Sequence, residues 1–407
     1  MTVTSGRALL PSLFALAVSA TLAPAQSPAS SPIAERLFEK PGGPFAVGTV
    51  DTLWVDIARE ETLTRDPSDK RRVLVQIWYP AEPAGGPNAP YIRHRDEFGA
   101  FTGYDSLQHV RTNAFDGAPI ARTGGRFPLV IYSHGGSWSR FTGTFMTEWL
   151  ASRGYVVVAI DHNGFNKSVL FPDGYKLSQD TLTFPAPGNK DRRADAIASW
   201  DFLDRQMFPL WVGDAKFVLD QVEQLNAAPS GRFRGRLDLD RIGMVGFSFG
   251  GAAAMEMAVR DPRIKAAIDQ DGQLFGVART TGTSRPVMLM HHAEAAPADT
   301  SRTNRELMAM VNGWTNDFAA KSTGPVYQVT IAKTHHGHFS DLTLTLYRDY
   351  FRDSTWIDAR RAHSIINAYT LAFFDQYLRH RRSELLQASG TPFPEVTFRR
   401  SDEASRP

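Results

Sequence analysis

The stretch that most restricts what this chain can fold into is Asp240 to Val259, DRIGMVGFSFGGAAAMEMAV. Arg241 to Val245 is a short apolar run of the kind that forms a buried strand, and small, helix-forming residues take over from Gly251. Between them, Gly246-Phe247-Ser248-Phe249-Gly250-Gly251 sets one serine between two phenylalanines and flanks the trio with glycines. Glycine at Gly246 and Gly250 suits a turn too tight for a Cβ. A strand, a tight turn bearing serine and then a helix would lift the Ser248 hydroxyl above the edge of a sheet, beside the helix's N-terminal amides.

The remaining pattern supplies that sheet. Short, nearly continuous apolar runs recur at Phe127 to Tyr132, Tyr155 to Ile160, Ile264 to Ile268, Pro286 to His291 and Tyr327 to Ala332. Such runs suit parallel strands covered on both faces. Helical patterns lie between or after them at Phe145 to Ser152, Asp214 to Leu225, Gly251 to Val259, Arg305 to Phe318 and His363 to Leu378. Alternating strands and helices predict a doubly wound α/β domain with a mostly parallel sheet. Thr49 to Ile57 and Arg72 to Tyr79 alternate in polarity and predict an N-terminal antiparallel pair. Gly164 to Leu210 lacks a strand signal and is read as a cap-like insertion. Within it Met207 to Trp211 is an apolar cluster, read as buried cap or as a lip for transient contact with a lipid surface.

The N-terminus has a polar start with Arg7, an apolar run from Ala8 to Leu22, and small residues at Ala23 and Ala25. That layout predicts a cleaved secretory signal and a secreted or periplasmic protein. The expected organisation is a signal peptide over 1–25, a flexible leader over 26–44, a catalytic domain over 45–380 and a tail over 381–407. The chain has no cysteine, which removes disulfides, thiol nucleophiles and thiolate metal sites. A net charge of +2 from scattered acids and bases lacks the footprint of nucleic-acid binding. Nothing in the sequence fixes an oligomeric state.

A serine hydroxyl needs a base to take its proton, and the base needs an acid to orient it. The strand ending at Ala332 is followed by His335-His336-Gly337-His338, which offers three bases. For the acid, Asp269 and Asp271 follow one strand, and Glu294 follows the next, the commoner place in such a fold. Ser133-His134-Gly135-Gly136 follows an early strand, so the Gly136 amide, paired with that of Phe249, is the candidate oxyanion hole. His291, His292, His335, His336 and His338 raise the alternative of a zinc cluster, but no HExxH pattern accompanies them. No metal site is therefore expected.

These segments resemble the platelet-activating-factor acetylhydrolases, a branch of the α/β-hydrolases close to the dienelactone-hydrolase-like esterases. The resemblance rests on VGTVDTLWVD with VLVQIWYPAE, PLVIYSHGGSWSR, LASRGYVVVAIDH, DLDRIGMVGFSFGGAAA, IKAAIDQDGQLFG and HHGHFSDLTL. It implies an α/β-hydrolase fold with Ser248 as nucleophile. It implies Asp271 as the acid, because the Asp-Gly-x-Leu-Phe context falls there. It implies His336 as the base, five residues before Asp341; His338, directly before Phe339, is the position some related polyester hydrolases use. It also implies hydrolysis of small-molecule or lipid esters without a cofactor. Phe247 departs from the pattern, since relatives often carry histidine there.

Overall fold

The computed structural model describes residues 36–93, 107–164, 168–178, 192–294, 301–387 and 392–401. The predicted signal peptide, 1–25, lies outside them. Six parallel strands form the centre of the main sheet: β5 (Phe127–Ser133), β6 (Val156–Ile160), β9 (Leu237–Phe247), β10 (Ile264–Gln270), β11 (Val287–Ala293) and β12 (Val326–Ala332). The predicted N-terminal pair is β1 (Ala46–Glu60) and β2 (Lys70–Ala81), and β2 joins the sheet antiparallel to β6. Three short strands extend the two edges: β3 (Asn88–Pro90), β4 (Arg111–Asp116) and β13 (Val396–Ser401). Across the sheet the order is β13-β12-β11-β10-β9-β5-β6-β2-β1-β4-β3.

Alternate residues of the central strands feed two cores. Leu129 and Ile131 of β5 enter one, and Val130 and Tyr132 the other. On the first face pack α2 (Arg192–Phe202), α3 (Phe208–Ala227), α4 (Phe249–Arg260) and α5 (Arg302–Lys321). On the second pack α1 (Thr144–Ser152) and α6 (Ala359–Leu378). This is the doubly wound architecture expected. Among the described residues no helix is long and apolar enough to cross a membrane.

Several expectations need correction. The leader is not wholly flexible: Leu37 and Phe38 are buried, and the Phe38 ring lies 5.1 Å from that of Tyr91. Within the expected tail, β13 pairs antiparallel with β12 and Phe398 stacks on Tyr369 at 5.8 Å. The insertion does carry strands, the small hairpin β7 (Ser168–Leu170) and β8 (Lys176–Ser178), which packs Val169 and Leu177 against Leu74. For Met207 to Trp211 the structure fits the buried-cap reading. Met207, Phe208 and Trp211 are buried, with Trp211 against Phe249 at 4.8 Å. A π-helical turn at Leu203–Met207 joins α2 to α3 in one continuous helix, directly before Pro209, whose ring and missing N–H do not fit a regular i→i−4 turn.

Candidate active site

The C-terminal edge of the parallel strands gathers the candidate residues. β9 ends at Phe247 and α4 begins at Phe249, so Ser248 is the single residue of the turn. It adopts φ 56° and ψ −119°, a conformation that costs an L-residue on the order of 1–3 kcal/mol. The Ser248 N–H donates to Gln270 O at 2.8 Å, tying the turn to β10. A Cβ at Gly246 would overlap the Gly250 carbonyl, and one at Gly250 the Ser133 carbonyl. A Cβ at Gly251 would overlap Asp269. The glycines thus let β9, α4 and β5 close on one another around the serine.

Ser248 Oγ lies 3.0 Å from His336 Nε2, and His336 Nδ1 lies 2.6 Å from Asp271 Oδ2. Since a carboxylate accepts, His336 carries its proton on Nδ1, leaving Nε2 free to accept the serine proton. Asp271 stands just past β10, with φ 61°. Burial alone would raise its pKa, but the His292 and His336 imidazoles hold it well below the usual carboxylate range. It remains ionised and able to orient a base.

The two neighbours of His336 serve the loop. The His335 N–H donates to His338 Nδ1 at 3.0 Å, and the Gly337 N–H donates to His335 Nδ1 at 3.1 Å. This reciprocal cap closes the 3-10 turn His336–Phe339. Burial pushes His338 down to about 4 and His335 down to about 3, so both are neutral at pH 7. His338 is fully buried against Phe351, with ring centroids 4.7 Å apart. Of the rival acids, Glu294 approaches His335 at 4.0 Å. Asp269 lies beneath the turn, where burial raises its pKa well above normal, and accepts the Gly272 N–H at 2.7 Å.

The oxyanion-loop candidates sit beside this chain of groups. A Cβ on Gly135 would meet the Phe247 ring at 2.8 Å and Ser248 Cβ at 3.2 Å, so the loop backbone lies against Ser248. His134 Nδ1 donates to Gly135 O at 2.7 Å, and the Trp138 N–H donates to it at 3.2 Å. A trans peptide sets its N–H opposite its C=O, so holding the Gly135 carbonyl fixes the Gly136 N–H. Phe249 supplies the first amide of α4. Phe247 packs on His336 with ring centroids 4.7 Å apart, giving the departure from the family pattern an orienting contact.

Sequence reasoning missed the role of His292. Its Nδ1 lies 2.7 Å from Asp271 Oδ2, and its N–H donates to Asp271 Oδ1 at 3.0 Å. Among the described residues, Asp271, His292 and His336 form the one group able to hold a metal ion, with donor atoms within 4.8 Å of one another. Ligation through both Nδ1 atoms would break the two hydrogen bonds that orient Asp271, so the arrangement fits acid–base chemistry better. His291, His335 and His338 do not join that group.

A second serine–histidine–aspartate string lies below the site. Ser133 Oγ is 2.9 Å from His162 Nε2, and His162 Nδ1 is 3.1 Å from Asp214 Oδ2. All three are fully buried, and Arg71 pairs with Asp214 at 2.7 Å. Closed to substrate, this string braces the end of β5 that launches the oxyanion loop.

The sequence profile of the family "Platelet-activating factor acetylhydrolase, isoform II" matches residues 33–171 and 219–388. A "Probable 1-alkyl-2-acetylglycerophosphocholine esterase" from Arthroderma benhamiae is 26% identical over 288 residues, 67% of this chain and 66% of that protein's own length. The "Platelet-activating factor acetylhydrolase" of Cavia porcellus is 22% identical over 83% of this chain and 77% of that protein. Among solved structures, a ferulic acid esterase from Streptomyces cinnamoneus superposes with a TM-score of 0.68 at 29% identity, covering 89% of this chain and 99% of that one. With the sheet order, the serine turn and these matches together, the chain belongs to the platelet-activating factor acetylhydrolase isoform II family of ester-hydrolysing enzymes, on an α/β-hydrolase fold.

Proposed function

We propose that this chain is an exported serine esterase acting on short-acyl lipid or phospholipid esters. The observation that carries the reading is the unbroken hydrogen-bonded chain from Ser248 Oγ through His336 to Asp271, 3.0 and 2.6 Å per step. Ser248 attacks the ester carbonyl while His336 Nε2 takes its proton. The tetrahedral oxyanion receives the Gly136 and Phe249 amides. His336 then gives the proton to the leaving alkoxide, and water repeats the sequence on the acyl-enzyme. Export rests on the signal pattern of Met1 to Ala25, and acetylated phospholipid as substrate class rests on the relatives' names.

A second reading, a general carboxylesterase or polyester hydrolase, is favoured by the likeness to a feruloyl-type esterase and by Trp138, which packs on Tyr347 beside the oxyanion loop. A panel of p-nitrophenyl esters, an acetyl phospholipid, a feruloyl ester and an aliphatic polyester separates the two. Ser248→Ala is expected to lower kcat by on the order of 10⁶ on every active substrate. A folded Ser248→Ala protein with near-normal turnover would overturn the mechanism, as would loss of activity on adding EDTA. No turnover of any ester by the wild-type protein would leave a binding protein on a hydrolase fold.

A further inference from the structure

In an α/β-hydrolase sheet the acid more often follows the strand that here is β11. In this chain that strand ends in an imidazole, and the acid stands one strand earlier. Resting on the assignment of Ser248, Asp271 and His336 above, we propose that His292 is a positioning residue that clamps the Asp271 carboxylate in the plane that orients His336.

Asp271 is held chiefly from β11 and not from its own strand. Its N–H donates to Met290 O at 2.9 Å, Oδ1 accepts the His292 N–H at 3.0 Å, and Oδ2 accepts His292 Nδ1–H at 2.7 Å. One residue thus grips both oxygens, through its backbone and its ring. The clamp fixes the carboxylate plane with Oδ2 aimed at His336 Nδ1. Such fixation matters because displacing a reacting group by about 1 Å can cost on the order of 10²-fold in rate.

The same contact acts electrostatically. Both imidazoles share Oδ2, so His292 and His336 divide the negative charge of one carboxylate oxygen between them. The titratable groups around His292 are Asp271 after β10, His291 and Glu294 from β11 and its end, and His335, His336 and His338 on the loop after β12. Burial lowers the His292 pKa, but Asp271 and then Glu294 offset it, and the balance is a raised value.

The test compares His292→Ala and His292→Asn with wild type, using kcat, KM and the pH profile of kcat/KM on a soluble p-nitrophenyl ester. The asparagine side-chain amide retains one donor near the position of Nδ1. His292→Ala is expected to lower kcat by about 10- to 100-fold with KM little changed. His292→Asn should recover most of the lost kcat. In an Asp271→Asn background, His292→Ala should cost little more, because the clamp has no carboxylate to hold. If Asp271→Asn is inactive while His292→Ala keeps wild-type kcat, the clamp is wrong and the triad stands. If Asp271→Asn itself retains full activity, the functional reading fails first. Should His292→Ala not fold, a folded His292→Asn with a kcat as low as that of Asp271→Asn would also overturn the clamp.

Discussion

Ser137, Ser248 and Asp271 all hold left-handed backbone, with φ of 66°, 56° and 61°. Each is unfavourable for an L-residue, and all three lie on the turns that bring the Gly135–Gly136 loop, Ser248 and Asp271 together. The prediction at this scale concerns the choice of base. His336→Ala should abolish the acylation burst with an activated ester. His338→Ala should retain the burst but lower stability, because the buried His338 ring accepts the His335 N–H and packs on Phe351. Single-turnover kinetics with a thermal melt on each variant decide between them; a burst lost in His338→Ala and kept in His336→Ala would move the base two residues. Ser248 was legible because a strand, glycine spacing and a small-residue helix left one place for a nucleophile. The choice among three histidines was not legible from the residues alone, since reciprocal capping by His335 and His338 has no signature in sequence. It came from a family resemblance, and so did the choice of Asp271. His292 was read only as a metal ligand, because its contact with Asp271 joins the ends of two strands 21 residues apart.

At the scale of elements, the histidine loop is moored to α1. Asp341 Oδ2 accepts the Thr144 N–H at 2.8 Å and Oδ1 the Phe145 N–H at 3.1 Å, while Tyr91 OH donates to Oδ2 at 3.2 Å. One side chain thereby caps the N-terminus of the helix that follows the Gly135–Gly136 loop and pins the loop that carries His336. Burial holds its pKa well above normal. Asp341→Asn keeps the shape but loses one acceptor facing two backbone donors. It should cost about 1–3 kcal/mol, the usual penalty for an unpaired buried group, read from urea unfolding. A change under a few tenths would show that the mooring contributes little. The central strands were legible because they are short, nearly continuous apolar runs. β3, β4, β13 and the β7–β8 hairpin were not, because they are short or polar and take their partners from distant chain. β13 is VTFRRS, with three of its six residues exposed, yet Phe398 packs onto Tyr369 and Tyr327. Truncation after Gln387 should therefore lower Tm by roughly 5 °C or more and leave the β12 edge open to pairing between molecules. An unchanged melt would mean that β13 adds nothing to the sheet.

Across the whole molecule, an unusual share of the interior is imidazole. His134, His162, His291, His335, His338 and His363 all have their pKa pushed down, in each case first by burial. Two reach about 3 and one about 4. For these groups the unfolded chain binds a proton near pH 6.5 while the folded chain does not, so their contribution is present above about 6.5 and lost as pH falls. Three carboxyls act in the opposite sense. Burial raises Glu148 to about 7 and raises Asp269 and Asp341 well above normal, so the folded state holds protons that the unfolded chain binds only near pH 4. His292, with its raised value, is protonated in both states by pH 5 and drops out of the difference. Just below pH 6.5 six lowered histidines stand against three raised carboxyls among the described residues, so the unfolded state carries the excess of bound protons. Stability should therefore fall as the solution is acidified from pH 7 to pH 5, by more than about 1 kcal/mol, with the urea midpoint moving down and the m-value unchanged. An equal or higher midpoint at pH 5 would mean that the buried carboxyls dominate and that the histidines are less enclosed than the packing around Trp211, Phe145 and Phe351 implies.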